Sequence, residues 1–326
     1  MTTICMLPCH SSTPVSNPSR PKLLHYDPNN ITTEKEVDVR NRLFNIDGLG
    51  VAWYTDARND FIPSCNGLRP ALYKTVQPPL NDLNFRQICA NTQSKICFAH
   101  IRAATSTATT PVNNHPFVFG RHAFMHNGFI SDFLSIRRQM CELLDQDAYG
   151  NVLGSTDSEH LAALYITYLT SGRGRAAWEE QYSTSEMADA LHRAVSTVIS
   201  LQQQVLGVES AQPNCLNLAA TDGSQLIAYR FRNHAVEQPP SLYYSTTAGV
   251  TLNSKYPDRA DGGSNPGASK EAKEHGSHVI VASEPSTYKE EDWELIRKNC
   301  CLTVESDGSV NVFKVPYEES WNARSE

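Results

Sequence analysis

Three places in this sequence combine residue types that could handle an amino-acid amide. Arg102 follows the apolar run Ile96–Ile101, Asn127-Gly128 ends an apolar stretch, and Asp157 stands where a helix starts. A guanidinium can hold a carboxylate through two parallel hydrogen bonds. A side-chain amide beside a backbone N–H can stabilise an oxyanion. A carboxylate can hold an ammonium group. Together these are the parts that an amide-cleaving site for an amino-acid substrate needs. Each also has a plainer reading: Arg102 as a strand-end surface cation, Asn127-Gly128 as a hairpin turn, and Asp157 as an acid favoured by the positive end of a helix. A nucleophile is the part they lack.

Other groupings are weaker. His100, His115, His122 and His126 fall close together, and the last two are four apart. On a helix that spacing could ligate zinc. The alternation over Phe117–Met125 predicts a strand instead, which would separate His122 from His126 by about 13 Å. No metal site is expected. Cys5 and Cys9 share the same spacing but have no downstream Cys-x-x-Cys partner. Asp47-Gly48-Leu49-Gly50 has neither a dinucleotide fingerprint nor a P-loop lysine, so no nucleotide or other cofactor is expected.

The elements that must position these groups are strands, then helices, then strands. Leu43–Tyr54 reads as a Gly-punctuated turn running into a β-branched and aromatic strand, and Ile96–Ile101 as a buried strand. Phe117–Met125 follows, and Asn127-Gly128 reads as its turn because both residues tolerate positive φ. Helices are predicted over Phe133–Leu144, from Thr156-Asp157-Ser158-Glu159 onward, and over Ser185–Val205. The second opens on a T-x-x-E capping box and continues as an amphipathic stripe. Strands return at Leu216–Ala220 and Leu226–Phe231 around an Asp222-Gly223 hairpin. Short strands follow at Leu242–Ser245 and His278–Ala282, and a last hairpin forms around Asp307-Gly308. This order favours mostly antiparallel sheets covered by helices. One domain is expected over 41–320, with a polar surface loop at 258–276 and an irregular Ser/Pro-rich tail at 1–40.

Composition narrows the function classes. The 326 residues are 40% hydrophobic and carry 28 Lys+Arg against 35 Asp+Glu, a formal charge of −7. An acidic chain without a basic run is a poor partner for nucleic acid or an anionic membrane. The apolar runs are too short for a transmembrane helix. Nine cysteines, an odd number with Cys300 and Cys301 adjacent, fit reduced thiols in the cytoplasm.

Seven strings in order, DGLGVAWY, CFAHIRAAT, NNHPFVF, FMHNGFISDF, GSTDSEH, LNLAATDGS and VIVASEP, resemble the class II (N-terminal-nucleophile) glutamine amidotransferases over about residues 43 to 295. The nearest branch is the stand-alone one. It includes the fungal subunit that degrades glutathione and the bacterial γ-glutamyl hydrolase of ergothioneine synthesis. The resemblance implies an α+β fold, a four-layer αββα sandwich of two mostly antiparallel sheets. It makes Arg102 the binder of the substrate α-carboxylate, Asn127 and Gly128 the oxyanion pair, and Asp157 the acid for the α-amino group. It implies hydrolysis of a γ-glutamyl amide, in glutathione or a related compound, through a thioester. The implied partners are a small γ-glutamyl substrate and, as in the fungal pathway, a metallopeptidase subunit.

One family feature is missing from its place. Members present a leading Cys whose own α-amine is the general base, chemistry that only a chain terminus allows. Here Thr2 follows Met1, and Cys5 and Cys9 are internal. Three readings compete: a true start encoded upstream, a non-catalytic member acting as a binding or scaffold subunit, and processing that exposes Cys5 or uses Thr2.

Overall fold

The computed structural model describes residues 2–6, 47–62, 67–102, 107–253, 255–257, 263–287 and 289–323, with the main chain alone for 2–6. Thirteen strands are found among the described residues: β1 (Thr2–Met6), β2 (Leu49–Thr55), β3 (Arg69–Thr75), β4 (Ile96–Ile101), β5 (Phe117–Phe119), β6 (His122–Phe129), β7 (Cys215–Thr221), β8 (Leu226–Arg232), β9 (Tyr243–Ser245), β10 (Val279–Ala282), β11 (Glu294–Leu295), β12 (Cys300–Val304) and β13 (Val310–Lys314). The helices are α1 (Leu83–Asn91), α2 (Phe133–Glu142), α3 (Gln146–Asn151), α4 (Asp157–Leu169), α5 (Thr184–Leu206) and α6 (Gly249–Leu252).

These strands build two sheets. The seven-stranded sheet has the order β11-β9-β10-β1-β4-β2-β3, and the six-stranded sheet β13-β12-β8-β7-β6-β5. Every strand pair is antiparallel except those of β1, which runs parallel to both β4 and β10.

Strand alternation divides the core. Phe124, Leu216, Leu218, Ile227, Tyr229 and Phe231 point from the six-stranded sheet into the cluster they share with α2, α4 and α5. Their neighbours Ala123, Met125, Ala219, Leu226 and Ala228 point the other way, against Ala52, Tyr54, Ile96, Phe98, Val279 and Val281 of the seven-stranded sheet. That period of two is what stacks one sheet on the other. The fourth layer is thin: Ile280 and Ala282 on the outer face of β10 meet Ala248, just before α6, and Trp293. The architecture is the expected four-layer αββα sandwich.

Local chemistry sets the helices. Ser183 and Glu186 form a reciprocal capping box that starts α5, and the helix stops at Gly207, where φ is +85°. Buried residues run almost all round α4, from Ser158 to Leu169, so it is a core helix and not the amphipathic stripe expected. Its T-x-x-E signature forms only half a box. Thr156 Oγ1 accepts from the Glu159 nitrogen at 3.1 Å, but the Glu159 carboxylate turns to Leu153 and Gly154 nitrogens at 3.0 and 2.7 Å.

Several expectations change. The first residues of the expected tail, Thr2–Met6, form the central strand β1, as the β-branched run Thr-Thr-Ile allows; 7–40 lie outside the described residues. Asn127-Gly128 is not a turn, because β6 continues through both to Phe129 while β7 pairs alongside. The hairpin turn lies at the other end of β6, at Gly120-Arg121, where it joins β5. In the loop expected at 258–276, residues 263–276 are mostly exposed and 258–262 lie outside the described residues.

Candidate active site

Arg102 is the first residue past β4, and its backbone nitrogen donates to Gly48 O at 2.8 Å. Gly48 has φ +122°, and a Cβ there would come within 2.4 Å of Thr75 O, so only glycine brings that carbonyl so close. The Arg102 side chain is buried. Its Nη1 donates to Ala108 O at 3.0 Å and Asn114 Oδ1 at 3.5 Å, and its Nη2 to Thr107 Oγ1 at 2.5 Å. Burial lowers the guanidinium pKa, and the Asp47 carboxylate opposes the shift. Asn114 is fixed in turn by donation to Thr75 O at 2.8 Å and Leu49 O at 3.4 Å.

Asn127 and Gly128 lie near the end of β6. Asn127 Nδ2 donates to Ser283 Oγ at 3.1 Å, across to the residue that follows β10. Gly128 has φ +144°, and a Cβ there would lie 1.9 Å from Cys215 O on β7. Asn217 and Arg230 lie in the same cross-strand row as Asn127. Asn217 donates to Ser241 O at 2.9 Å, and Arg230 donates to Pro239, Pro240 and Ile296 carbonyls at 2.8, 2.8 and 2.9 Å. They hold a strap, Pro239–Ser241, beside Ser283, and Ser241 Oγ donates to the neighbouring Glu284 at 3.0 Å.

Asp157 opens α4 but is already engaged. Its Oδ2 accepts from Ile130 N at 2.8 Å, and its Oδ1 from the nitrogen and hydroxyl of Ser158 at 2.7 and 3.0 Å. Ser158 Oγ also meets His126 Nδ1 at 2.9 Å. Asn113 links the two sides of the site: its Nδ2 donates to Ala108 O at 2.9 Å, the carbonyl that Arg102 uses, and its Oδ1 accepts from Ser155 N at 3.0 Å, two residues before Asp157. Arg102, Asn127, Gly128 and Asp157 thus gather at one end of the sandwich, linked through Asn113, Ser155, Ser158 and His126 partly by hydrogen bonds and partly along the chain. Asn113, Asn114, Ser158 and Ser283 were not singled out from sequence. The buried pair Asn113-Asn114 inside NNHP was the available signal.

The four histidines do not form one cluster. His100 and His115 pack with ring centroids 4.2 Å apart, and His126 acts electrostatically on both. His122, four residues down β6, faces Tyr182 and Glu180 O instead. Burial lowers all four pKa values, His100 to about 3 and His122 to about 4. Among the described residues no group of three or more His, Cys, Asp or Glu is arranged to hold a metal ion. Lys74, whose ammonium lies 4.8 Å over the Phe117 ring, has its pKa lowered by burial to about 8.

Cys5 is described by its main chain. It pairs with Ala99 and Ala282, at the end of β1 nearest Arg102 and Ser283, while Thr2 pairs with Ile96 and Val279 at the opposite end. Cys9 lies outside the described residues. Cys89, Cys141, Cys215, Cys300 and Cys301 are thiols outside any disulfide among the described residues.

The fold is a four-layer αββα sandwich with these groups at one end. The family model described as glutamine amidotransferases class-II matches residues 39–239, and the chain belongs to that family. It is 30% identical over 270 residues, 81% of this chain and 71% of the other, to the probable glutamine amidotransferase DUG3 of Saccharomyces cerevisiae. A shorter stretch of 74 residues is 39% identical to a glutamine–fructose-6-phosphate aminotransferase of Gluconobacter oxydans, covering 22% of this chain and 11% of that one. Among solved structures, a glutamine aminotransferase class-II domain protein from Silicibacter pomeroyi superposes with a TM-score of 0.55 at 25% identity, over 82% of this chain and 90% of its own. Among the described residues no helix is long and apolar enough to cross a membrane.

Proposed function

We propose that this domain, spanning about 41–320, binds γ-glutamyl amides, such as glutamine or glutathione, and hydrolyses them through a thioester. The observation that carries the reading is the gathering at one end of the sandwich of a buried arginine, an amide-plus-glycine pair and a partly exposed acid. Arg102 spends its hydrogen bonds on neutral oxygens, so an incoming α-carboxylate can replace them with a charge-assisted bidentate pair. Asp157 has three of about four acceptor positions filled, which leaves one for an α-ammonium. Asn127 Nδ2 and the Gly128 N–H would face the γ-carbonyl oxygen. A thiolate attacks the γ-carbon, the C–N bond breaks, the amine leaves with a proton, and water then splits the thioester to release glutamate. A leaving dipeptide would pass to a separate metallopeptidase subunit, as the family resemblance implies.

The test is release of amine or ammonia from glutathione and glutamine by full-length protein, with binding measured by calorimetry. Removing one oxyanion donor, as in Asn127→Ala, is expected to lower the rate by ~10²–10³. Unchanged turnover in Asn127→Ala and Arg102→Ala would sink the role assignment. A second reading, a binding subunit without turnover, is favoured by one observation. The Cys5 nitrogen is a peptide nitrogen inside β1, not an amine. Binding without turnover would establish that reading.

A further inference from the structure

The first turn of α4 grips the chain on both sides of the oxyanion pair. Asp157 Oδ2 accepts from Ile130 N, just past β6, at 2.8 Å, and Ser158 Oγ meets Nδ1 of His126, the residue before Asn127, at 2.9 Å. On its other side the His126 ring reaches Cys215 O through Nε2 at 3.2 Å. That is the carbonyl against which Gly128 packs, where a Cβ would come within 1.9 Å.

The hydrogens along this chain of groups can be counted. A carbonyl oxygen only accepts, so Nε2 carries the ring hydrogen. Burial lowers the His126 pKa and keeps the ring neutral, against the pull of Asp157 and the Cys215 carbonyl, so Nδ1 is an acceptor. Asp157 Oδ1, 3.0 Å from Ser158 Oγ, is a second acceptor. One hydroxyl hydrogen therefore serves two acceptors. The carboxylate is the stronger, so with no other donor at Asp157 the hydrogen lies there and Nδ1 faces an oxygen lone pair. Ser158 and His126 are both buried, and a buried acceptor without a donor is disfavoured.

An α-ammonium changes the count. It brings three N–H groups to Asp157, and one of them can replace the hydroxyl on Oδ1. The Ser158 O–H then turns to His126 Nδ1. No proton changes owner; the O–H only rotates. A ring that accepts at Nδ1 is a stronger donor at Nε2, because linked hydrogen bonds polarise one another. Its hold on Cys215 O beside Gly128 tightens.

We infer that the Ser158 hydroxyl is a switch that passes recognition of the α-ammonium at Asp157 through His126 to the oxyanion pair at Asn127–Gly128. Ser158 and His126 are positioning residues and touch no substrate. The inference rests on the γ-glutamyl reading of the site.

The test sets glutamine against glutaramate, which has the same amide and carboxylate but no α-amine. In Ser158→Ala, kcat for glutamine should fall by about fivefold to tenfold, the worth of one buried hydrogen bond, with KM unchanged or lower. Glutaramate, which does not turn the hydroxyl, should stay within about twofold. Ser158→Thr, which keeps the hydroxyl, should restore glutamine turnover. Equal losses for the two amides, or a glutamine loss confined to KM, would overturn the inference.

A nitrogen NMR spectrum of the His126 ring, assigned by its loss in His126→Gln, reads the switch without turnover and so also decides the matter for a protein that only binds. Norvaline, which carries both α groups and no amide, should move the Nδ1 resonance to its hydrogen-bonded position in the wild type but not in Ser158→Ala. Pentanoate, which lacks the amine, should leave it in place. A doubly protonated ring, or an equal response to both acids, also overturns the inference. Asp157→Asn needs no ligand: removing the carboxylate charge should turn the hydroxyl and move Nδ1 the same way. A resonance that stays at its wild-type position in Asp157→Asn refutes the switch whatever the site binds. If it moves while the wild type binds neither glutamine nor norvaline, the γ-glutamyl reading fails and the hydroxyl switch stands.

Discussion

Gly128→Ala is the most sharply determined perturbation of this site. The new Cβ would sit 1.9 Å from Cys215 O, 2.8 Å from the Cys215 carbonyl carbon and 3.0 Å from His126 Nε2. Ordinary contact begins near 3.4 Å, so something must move by about 1.5 Å. The two nearest neighbours are main chain, and the third, the buried His126 ring, is held at both nitrogens. Cys215 is main chain in β7, paired with β6 on one side and β8 on the other. The φ of +144° adds its own strain for any residue with a Cβ. Overpacking costs about 1–3 kcal/mol and an unfavourable φ about 1–2 kcal/mol, so the sum is about 2–5 kcal/mol. At about 2–4 °C per kcal/mol the melting temperature should fall by roughly 5–20 °C.

Chemical denaturation of Gly128→Ala beside Gly150→Ala provides the assay. Gly150 lies in α3, with nothing within 4 Å of its Cβ position, so alanine there should stabilise by about 0.5–1 kcal/mol. A Gly128→Ala loss below 1 kcal/mol would refute the crowding argument. It would also undo the reason for a glycine in the oxyanion pair, since the close approach of Cys215 would then be optional.

Two further expectations follow from named contacts. Asp157→Asn leaves the Ile130 and Ser158 nitrogens competing for a single carbonyl oxygen, which should cost about 1–3 kcal/mol in denaturation. It should also weaken glutamine binding in calorimetry; unaltered affinity would remove Asp157 from the ammonium role. Acid stability has a defined sign. His100 and His122 titrate near 3 and 4 when folded, against 6.5 when unfolded, so between those values the unfolded chain binds more protons. Stability should be full above pH 6.5 and fall as the pH drops toward the folded values, by up to ~1.4 kcal/mol per unit for each histidine. A urea midpoint that stays flat from pH 7 to 5 would contradict this burial.

The order of elements was legible because strand alternation and helix caps are local. Leu216–Ala220, Leu226–Phe231 and the Asp222-Gly223 turn emerge as β7, β8 and their hairpin, with Gly223 at φ +91°. Local signals failed where a tertiary contact decides. Asn-Gly reads as a turn from its tolerance of positive φ, yet the Cys215 carbonyl is what selects Gly128, and that contact spans 87 positions. Similarly, Glu159 leaves its expected cap for the Leu153 and Gly154 nitrogens, next to Ser155 N, which Asn113 holds from another part of the chain. The roles of Arg102 and Asp157 rest on resemblance. What joins them is Asn113, whose bonds to Ala108 O and Ser155 N no spacing announces.

The direction of β1 bears most on the chemistry. A terminal nucleophile needs a strand that starts at the pocket and runs away from it. β1 starts at the far end, with Thr2 beside Ile96 and Val279, and runs toward Arg102 and Ser283. Thr2 is therefore roughly 10 Å along the strand from Cys5 and poorly placed to attack. Cys5 stands at the right end with the wrong nitrogen. A chain that begins at Cys5 would free that nitrogen and lose the pairings of Thr2–Ile4 with Ile96–Phe98 and Val279–Val281. If Cys5 is the nucleophile, this shortened protein should release ammonia from glutamine, and Cys5→Ser in the same background should abolish the release. If the shortened protein still binds glutamine but releases no ammonia, Cys5 is excluded as nucleophile while the recognition groups remain. If binding is lost as well, β1 is needed to hold β4 and β10 together, and the same Cys5 start must be repeated with Thr2–Ile4 supplied as a separate peptide. Ammonia release that appears only with the peptide would then assign the thiol, and continued inactivity would exclude it.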